Sequence, residues 1–242
     1  MGIYDETVAI PRKTMTLFFL IDCSGSMSGT KIGAVNQALE EAIPEIREIS
    51  ASNADAEIKI AALRFSSGAD WLTKIPESAE TFAWSYVNPG GMTDFGEACR
   101  KLNEKLSKNE FMKSASGSYA PVVILMSDGE PTDEYAAPLD ALKQNNWFKK
   151  AIKVAIAVGD NAKKDVLEQF TGSMETVLDV HNPEALKNII RFVSVTSSQI
   201  ASKPAAGGSG QVDSVASKQD EMIEKIKDNL QYSADSGDAD EW

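Results

Sequence analysis

The sequence of 242 residues is poor in cysteine and histidine. Its two cysteines, Cys23 and Cys99, each lie in an apolar segment and lack the short spacing typical of zinc sites. We therefore expect two reduced, buried thiols, with a disulfide between them as the alternative. The single histidine, His181, would have to serve any Ser-His-Asp triad. Its place directly after a short apolar segment favours a surface or turn position instead.

Basic residues and long apolar runs are also scarce. Lys and Arg number 24 against 36 Asp and Glu, which gives a formal net charge of −12. Such a chain would not neutralise phosphates, so we expect neither a nucleic-acid partner nor an anionic membrane surface. No segment approaches the ~20 apolar residues of a membrane-spanning helix. The polar first 14 residues lack the apolar core of a secretion signal, and we expect a soluble, cytoplasmic protein.

One apolar run stands out, at residues 15–21. It has no helical period, which is typical of a strand buried on both faces. The run ends at Asp22, followed by Ser24 and Ser26 in a glycine-containing turn. Alternate residues of an extended turn point the same way, so their three oxygens can converge. In open α/β folds ligands bind at this end of the strands, and such hard oxygen donors suit Mg²⁺ or Mn²⁺.

Two later segments complete a recognisable pattern. Thr93 follows the Pro-Gly-Gly loop at 89–91, just before a predicted helix, and Asp128 ends the apolar strand predicted at 120–127. The set Asp22, Ser24, Ser26, Thr93 and Asp128 resembles the metal-ion-dependent adhesion site of von Willebrand factor A (vWA) domains. The resemblance implies that the three hydroxyls bind the ion directly, while the two carboxylates mostly hold waters. Taken alone, Thr93 has a second interpretation, as the N-cap of the following helix.

The alternation of apolar strands and helices predicts an α/β fold. The expected architecture is a doubly wound, Rossmann-like, mainly parallel sheet with helices on both faces. The resemblance covers roughly residues 14–200 and implies the vWA fold with about six strands. Residues 127–135 further resemble the corresponding loop of small stand-alone bacterial proteins of the TerY-like, tellurium-resistance-associated group. That group accompanies kinase- and phosphatase-type proteins and tellurium-resistance proteins in bacterial stress systems, and these are the partner classes that the resemblance implies.

Several elements within the domain have uncertain boundaries. A helix is predicted at 30–47, where Pro44 should bend or end it. Residues 69–75 and 81–87 are predicted as short aromatic-rich strands, one of them an antiparallel edge. Residues 132–148 are predicted to be mostly helical, with Pro138 leaving the start open.

Composition divides the chain into four parts: an N-terminal extension (1–13), a vWA domain (14–202), a flexible linker (203–210) and an acidic C-terminal tail (211–242), part of which has helical spacing. From residue 211 onward nine acids stand against three lysines, which favours a solvated, disordered tail. The alternative is a helix docked on a partner or on this domain. A further hypothesis is that the terminal acids occupy the metal site, so that deleting residues 207–242 would raise partner affinity. Those acids are Asp235, Asp238, Asp240 and Glu241.

The predicted ligands favour binding over catalysis. Divalent-metal hydrolases gather several carboxylates, often around two ions, whereas this set has three neutral hydroxyls. The ion would remain under-neutralised, and an Asp or Glu of a partner protein could complete its coordination. We therefore predict a non-enzymatic, metal-dependent protein-binding module. The alternative is a metal-dependent phosphoesterase that uses Asp22 and Asp128. Neither a phosphate-binding loop nor a nucleophile elbow is present in the sequence.

Overall fold

A computed structural model describes residues 11–114, 116–159, 162–202 and 213–236. Among these residues, none of the helices has the length and apolar character needed to cross a bilayer. The strands are β1 (Lys13–Asp22), β2 (Ala56–Ser66), β3 (Gly68–Trp71), β4 (Glu77–Ser78), β5 (Val122–Ser127), β6 (Ile152–Val158) and β7 (Val177–Val180). The helices are α1 (Thr30–Ser52), α2 (Phe95–Lys105), α3 (Ala136–Gln144), α4 (Asn146–Lys150), α5 (Lys164–Thr171), α6 (Pro183–Ser202) and α7 (Asp213–Ser236).

The strands form one sheet in the order β3-β2-β1-β5-β6-β7, with β4 also paired to β2. β1 pairs in parallel with β2 and β5, and β6 pairs in parallel with β5 and β7. β3 and β4 run antiparallel to β2, so an antiparallel edge is present as expected. The doubly wound, mainly parallel sheet is confirmed. The chain leaves β1 toward β2 and later returns to β5 on the other side of β1. This switch point opens a crevice at the carboxyl ends of β1 and β5.

β1 is the centre of two separate cores. Its odd-numbered residues, such as Leu17 and Phe19, pack with α1 and α6 on one face of the sheet. Its even-numbered residues, such as Phe18 and Leu20, pack with helices α2 to α5 on the other. This division follows from the two-residue period of a strand. It explains why the sequence of β1 is apolar throughout rather than alternating.

Helix α1 continues through Pro44, which was predicted to bend or end it, and runs beyond the predicted end at 47 to Ser52. Pro44 is exposed, and so is Glu40, whose carbonyl would accept the N–H that proline lacks. The neighbouring residues Ile43 and Ile46 lie in the core and hold both halves of the helix on the sheet. Tertiary packing therefore outweighs the local preference of proline.

The prediction of a strand at 81–87 is wrong. This segment is irregular, although Phe82 and Val87 are buried in the core as strand residues would be. The Asn36 side chain supplies hydrogen bonds to the backbone of this segment. It donates to the Val87 carbonyl and accepts from the Val87 N–H, both at 2.9 Å. Arg47 donates to the Phe82 carbonyl at 3.2 Å. Buried backbone groups need partners, and here side chains of α1 supply them in place of a neighbouring strand.

The predicted helix at 132–148 is divided in two. Asn145 ends α3 and caps α4 by accepting the N–H groups of Trp147 at 2.8 Å and Phe148 at 3.4 Å. Its amide also donates to the Leu106 carbonyl at 3.1 Å, at the end of α2. An asparagine that bonds in this way competes with a continuous helix.

The acidic tail contains helix α7, so the structure supports docking on this domain over a disordered tail. Met222 and Ile226 of α7 are buried against the core on the α1–α6 face. Gln219 accepts the N–H of Lys153 at 3.1 Å and donates to its carbonyl at 3.2 Å, at the beginning of β6. β5 and β6 run parallel, and Asp128 follows the carboxyl end of β5. Helix α7 therefore packs near the amino ends of the strands, away from Asp128.

Of the four terminal acids that the hypothesis places at the metal site, the structure describes only Asp235. Asp235 lies in the last turn of α7. Asp238, Asp240 and Glu241 lie outside the described residues, as do residues 1–10 and the predicted linker at 203–210.

Candidate metal centre

Asp22 is the most buried member of the predicted site. It ends β1 and is fully shielded from solvent. Its Oδ1 accepts the Ser24 N–H at 2.8 Å, and its Oδ2 accepts the Ser127 hydroxyl at 2.6 Å. Burial raises the pKa of the Asp22 carboxyl above its ordinary value, while these hydrogen bonds act in the opposite direction. No basic side chain of the described residues pairs with Asp22.

Ser24, Ser26 and Asp128 form a chain of oxygens beside it. The hydroxyls of Ser24 and Ser26 lie 2.9 Å apart, and Ser26 donates to Asp128 Oδ1 at 2.8 Å. Asp128 follows the end of β5 and its side chain is 2% exposed. Its other oxygen, Oδ2, accepts a hydrogen bond from the ammonium of Lys31, in the first turn of α1.

Thr93 approaches the same point from the glycine-containing loop before α2. A Cβ added to Gly129 would lie 3.1 Å from both Asp22 Oδ2 and Thr93 Oγ1. Asp22 and Thr93 therefore meet beside the backbone of Gly129, which directly follows Asp128. The N-cap interpretation of Thr93 is wrong, because the N-cap of α2 is Asp94. The structure thus brings all five predicted residues together at the carboxyl ends of β1 and β5.

Sequence reasoning missed residues that hold these ligands. Thr132 fixes Thr93 from both sides: its hydroxyl accepts the Thr93 N–H at 2.9 Å and its own N–H donates to the Thr93 carbonyl at 2.9 Å. Asp133 accepts the N–H groups of Gly96 and Glu97 at the start of α2, both at 2.9 Å. The loop after β5 is therefore tied to the loop that carries Thr93. Ser127 and Lys31 were also missed, since only tertiary contacts link them to the two carboxylates.

The loop that carries Thr93 is also joined to the first ligand turn. The Gly90 N–H donates to the Cys23 carbonyl at 2.7 Å, and the Gly25 N–H donates to the Gly91 carbonyl at 3.1 Å. Backbone hydrogen bonds thus fix the spacing between the Asp22–Ser26 turn and Thr93.

The chemistry of this cluster fits a hard divalent cation. All five side chains present oxygen, which is what Mg²⁺ and Mn²⁺ prefer. Of the two buried carboxylates only Asp128 is paired with a lysine, and burying the unpaired charge of Asp22 is unfavourable. Within the described ranges, no group of three or more His, Cys, Asp or Glu side chains is placed to hold an ion. An ion at this site would thus depend on Ser24, Ser26 and Thr93 as well as on the carboxylates.

The cluster lies beneath an accessible rim. Gly25, Ser26, Gly91 and Glu130 are exposed, as is Met92, which precedes Thr93 and is 55% exposed. Asp22 and Ser24, by contrast, are buried. A macromolecule that approaches the rim would reach the Ser26 hydroxyl first.

Comparison with protein families explains the match between these loops and the sequence pattern. The family model described as von Willebrand factor type A domain matches residues 16–192. The chain belongs to the vWA family. The matched range begins within β1 and ends within α6, so it contains most of β1, every other strand of the sheet and all five predicted ligands. No curated protein matches the sequence.

Solved structures show the same vWA fold at low sequence identity. A von Willebrand factor type A protein from Catenulispora acidiphila is 19% identical over 76% of this chain and 42% of its own, with a TM-score of 0.60. The ArnB paralog VWA2 from Sulfolobus acidocaldarius is 18% identical over 74% and 44%, with a TM-score of 0.55. Proximal thread matrix protein 1 from the mussel byssus, with a zinc-occupied MIDAS motif, is 17% identical over 76% and 48%, with a TM-score of 0.57.

The vWA chain spans less than half the length of each of these three proteins. At identities of this size the likeness establishes the fold alone. The zinc ion belongs to the mussel protein.

The remaining chemistry-bearing residues lie away from the cluster or are inert. Cys23 and Cys99 are free and buried, and they belong to the cores on opposite faces of the sheet, so they cannot form a disulfide. Burial raises the pKa of the Cys23 thiol to about 12 and that of Cys99 still further. Both thiols therefore stay protonated and unreactive at neutral pH. His181 is exposed in the connection after β7.

Proposed function

We propose that this vWA domain is a metal-dependent protein-binding module. Mg²⁺ or Mn²⁺ would be held by Asp22, Ser24, Ser26, Thr93 and Asp128, and the bound ion would accept an Asp or Glu side chain from a partner protein. The observation that carries the proposal is the composition of the cluster: three neutral hydroxyls and two buried carboxylates, of which one is already paired with Lys31.

This composition leaves positive charge on a bound ion. A divalent cation that is not fully neutralised by its protein ligands attracts an anionic group from outside. The exposed rim above the cluster gives a protein surface access to it. The charge of the whole chain, −12, would disfavour acidic partners at long range. We therefore expect the metal to be required for capture of an acid rather than merely helpful.

A non-enzymatic role is part of the proposal. Hydrolysis of phosphate esters by Asp22 and Asp128 has less support, because metal-dependent phosphoesterases surround their ions with more carboxylates. Asp22 is also held by Ser24 and Ser127 in a fully buried position, where it cannot approach a substrate. Phosphatase activity that survives purification and disappears in Asp22→Ala would favour the alternative.

A narrower form of the proposal concerns context. The similarity of residues 127–135 to the TerY-like group supports partners of the kinase, phosphatase or tellurium-resistance classes in a bacterial stress system. It also supports work in the cytoplasm. Both points rest on that resemblance.

The proposal is tested in two steps. Binding of Mn²⁺ to the full chain, followed by electron paramagnetic resonance of the free ion, should be lost in Thr93→Ala and kept in Thr81→Ala, a matched control at an exposed threonine. Capture of proteins from lysate is then compared for wild type in Mg²⁺, wild type in EDTA, and Thr93→Ala in Mg²⁺. Partners found only in the first condition are expected. The same partners in all three conditions would refute the proposal.

A further inference from the structure

Lys31 places a fixed positive charge inside the candidate metal centre. Its ammonium contacts Asp128 Oδ2, while the opposite oxygen of the same carboxylate accepts from Ser26. The lysine side chain is 27% exposed and that of Asp128 only 2%. This ion pair is therefore largely shielded from solvent, where charge interactions are stronger than at an open surface.

The position of the ammonium is set by the fold. Lys31 lies in the first turn of α1, directly after the turn that carries Ser24 and Ser26. Its side chain crosses Gly159, at the end of β6, where an added Cβ would lie 2.9 Å from Lys31 Cε and 3.2 Å from Nζ. Gly159 also has a φ of +88°, a conformation that favours glycine. The absence of a side chain at this position leaves room for the lysine to reach Asp128.

The net charge of the site is set by two carboxylates, one ammonium and the bound ion. With both carboxylates ionised, Asp22, Asp128 and Lys31 carry a net charge of −1, which a divalent ion changes to +1. Without the lysine charge, the same two carboxylates would neutralise the ion completely. Lys31 thus opposes the entry of the metal and leaves the loaded site positive.

We infer that Lys31 couples metal binding to ligand binding at this site. The inference rests on the proposed function. In the absence of an acidic ligand, Lys31 lowers the affinity for the divalent ion by repulsion and by competition for Asp128. Once a carboxylate binds, its charge neutralises the remaining +1, so metal and acid each strengthen the binding of the other. The domain would therefore be filled with metal mainly when a partner is present.

The test measures Mn²⁺ binding to the full chain by electron paramagnetic resonance, at constant ionic strength, in chloride and in acetate. Lys31→Met removes the charge and keeps most of the apolar stem, and Lys31→Arg keeps the charge. Lys163→Met is the matched control, since Lys163 pairs with the exposed Glu130 at 3.4 Å and contacts none of the five ligands. Circular dichroism verifies folding, and Lys31→Gln replaces Lys31→Met if that variant does not fold.

Lys31→Met should bind Mn²⁺ about tenfold more tightly than wild type in chloride, because one like charge is removed next to the ion. The gain in affinity on changing chloride for acetate should shrink in the same variant. Lys31→Arg and Lys163→Met should behave as wild type. Unchanged or weaker Mn²⁺ binding by Lys31→Met would overturn the inference while leaving the proposed function intact. Absence of Mn²⁺ binding by wild type in both chloride and acetate would refute both.

Discussion

Docking of α7 on the domain can be tested by one substitution. Met222 is fully buried between α7 and the core on the α1–α6 face. Replacing a buried methionine by alanine removes apolar contacts and leaves a cavity, at a cost of about 2–5 kcal/mol. We expect the lower half of this range for Met222→Ala, about 2–3 kcal/mol, because α7 is the last helix that the structure describes and can adjust its position.

The measurement is thermal unfolding of the full chain followed by circular dichroism. For a protein of this size, 1 kcal/mol corresponds to about 2–4 °C in Tm. Met222→Ala should thus lower the Tm by roughly 4–12 °C. Met92→Ala is the control, since Met92 is 55% exposed and should change stability by less than about 0.5 kcal/mol.

Two results would refute the reasoning. Equal Tm values for Met222→Ala and Met92→Ala would mean that α7 does not pack on the core in solution. A loss of Mn²⁺ affinity in Met222→Ala would contradict the placement of α7 near the amino ends of the strands, away from Asp128. The expected result is a less stable protein with wild-type metal affinity.

Two further predictions concern the ligands themselves. In EDTA, Asp22→Asn should be more stable than wild type at pH 7, and denaturant unfolding at several pH values should show that this difference disappears on acidification. The sign follows because burial raises the pKa of Asp22 in the folded state above that in the unfolded chain. The ionised carboxylate therefore destabilises the fold fully above the folded-state pKa and not at all below the unfolded-state pKa. Lower stability of Asp22→Asn than of wild type at pH 7 would contradict this reasoning. Gly129→Ala should weaken Mn²⁺ binding by about tenfold or more, since a displacement of even a few tenths of an ångström disturbs a metal site, and the new Cβ would lie 3.1 Å from Asp22 Oδ2 and Thr93 Oγ1. Gly33→Ala, where an added Cβ meets nothing within 4 Å, is its control and should bind Mn²⁺ as wild type does.

Much of the fold could be predicted from local sequence. The apolar runs that become β1, β5 and β6 have no helical period and end in turn residues, and each is a buried strand of the sheet. The prediction failed at 81–87, where Phe82 and Val87 are buried but the segment forms no strand. The backbone partners of that segment are side chains of α1, 51 and 35 residues away, and no local pattern contains them.

The candidate site divides in the same way. Residue types and their spacing marked Asp22, Ser24, Ser26, Thr93 and Asp128, because each follows a strand or precedes a helix in a recognisable turn. That these residues bind a metal stays a prediction. Ser127 had no signal of its own, since its role depends on a hydrogen bond to Asp22, 105 residues away.

The sequence by itself determined the secondary structure of the central sheet and the chemical types at the site, because both depend on residues close together in the chain. Only the tertiary structure decided that Lys31 pairs with Asp128 and that α7 packs on the core. An ammonium 97 residues from its carboxylate and a helix rich in acids each have a solvated alternative that the sequence allows equally well. Which alternative is realised depends on the shape and charge of the surface that meets them, and that surface exists only after the sheet has formed.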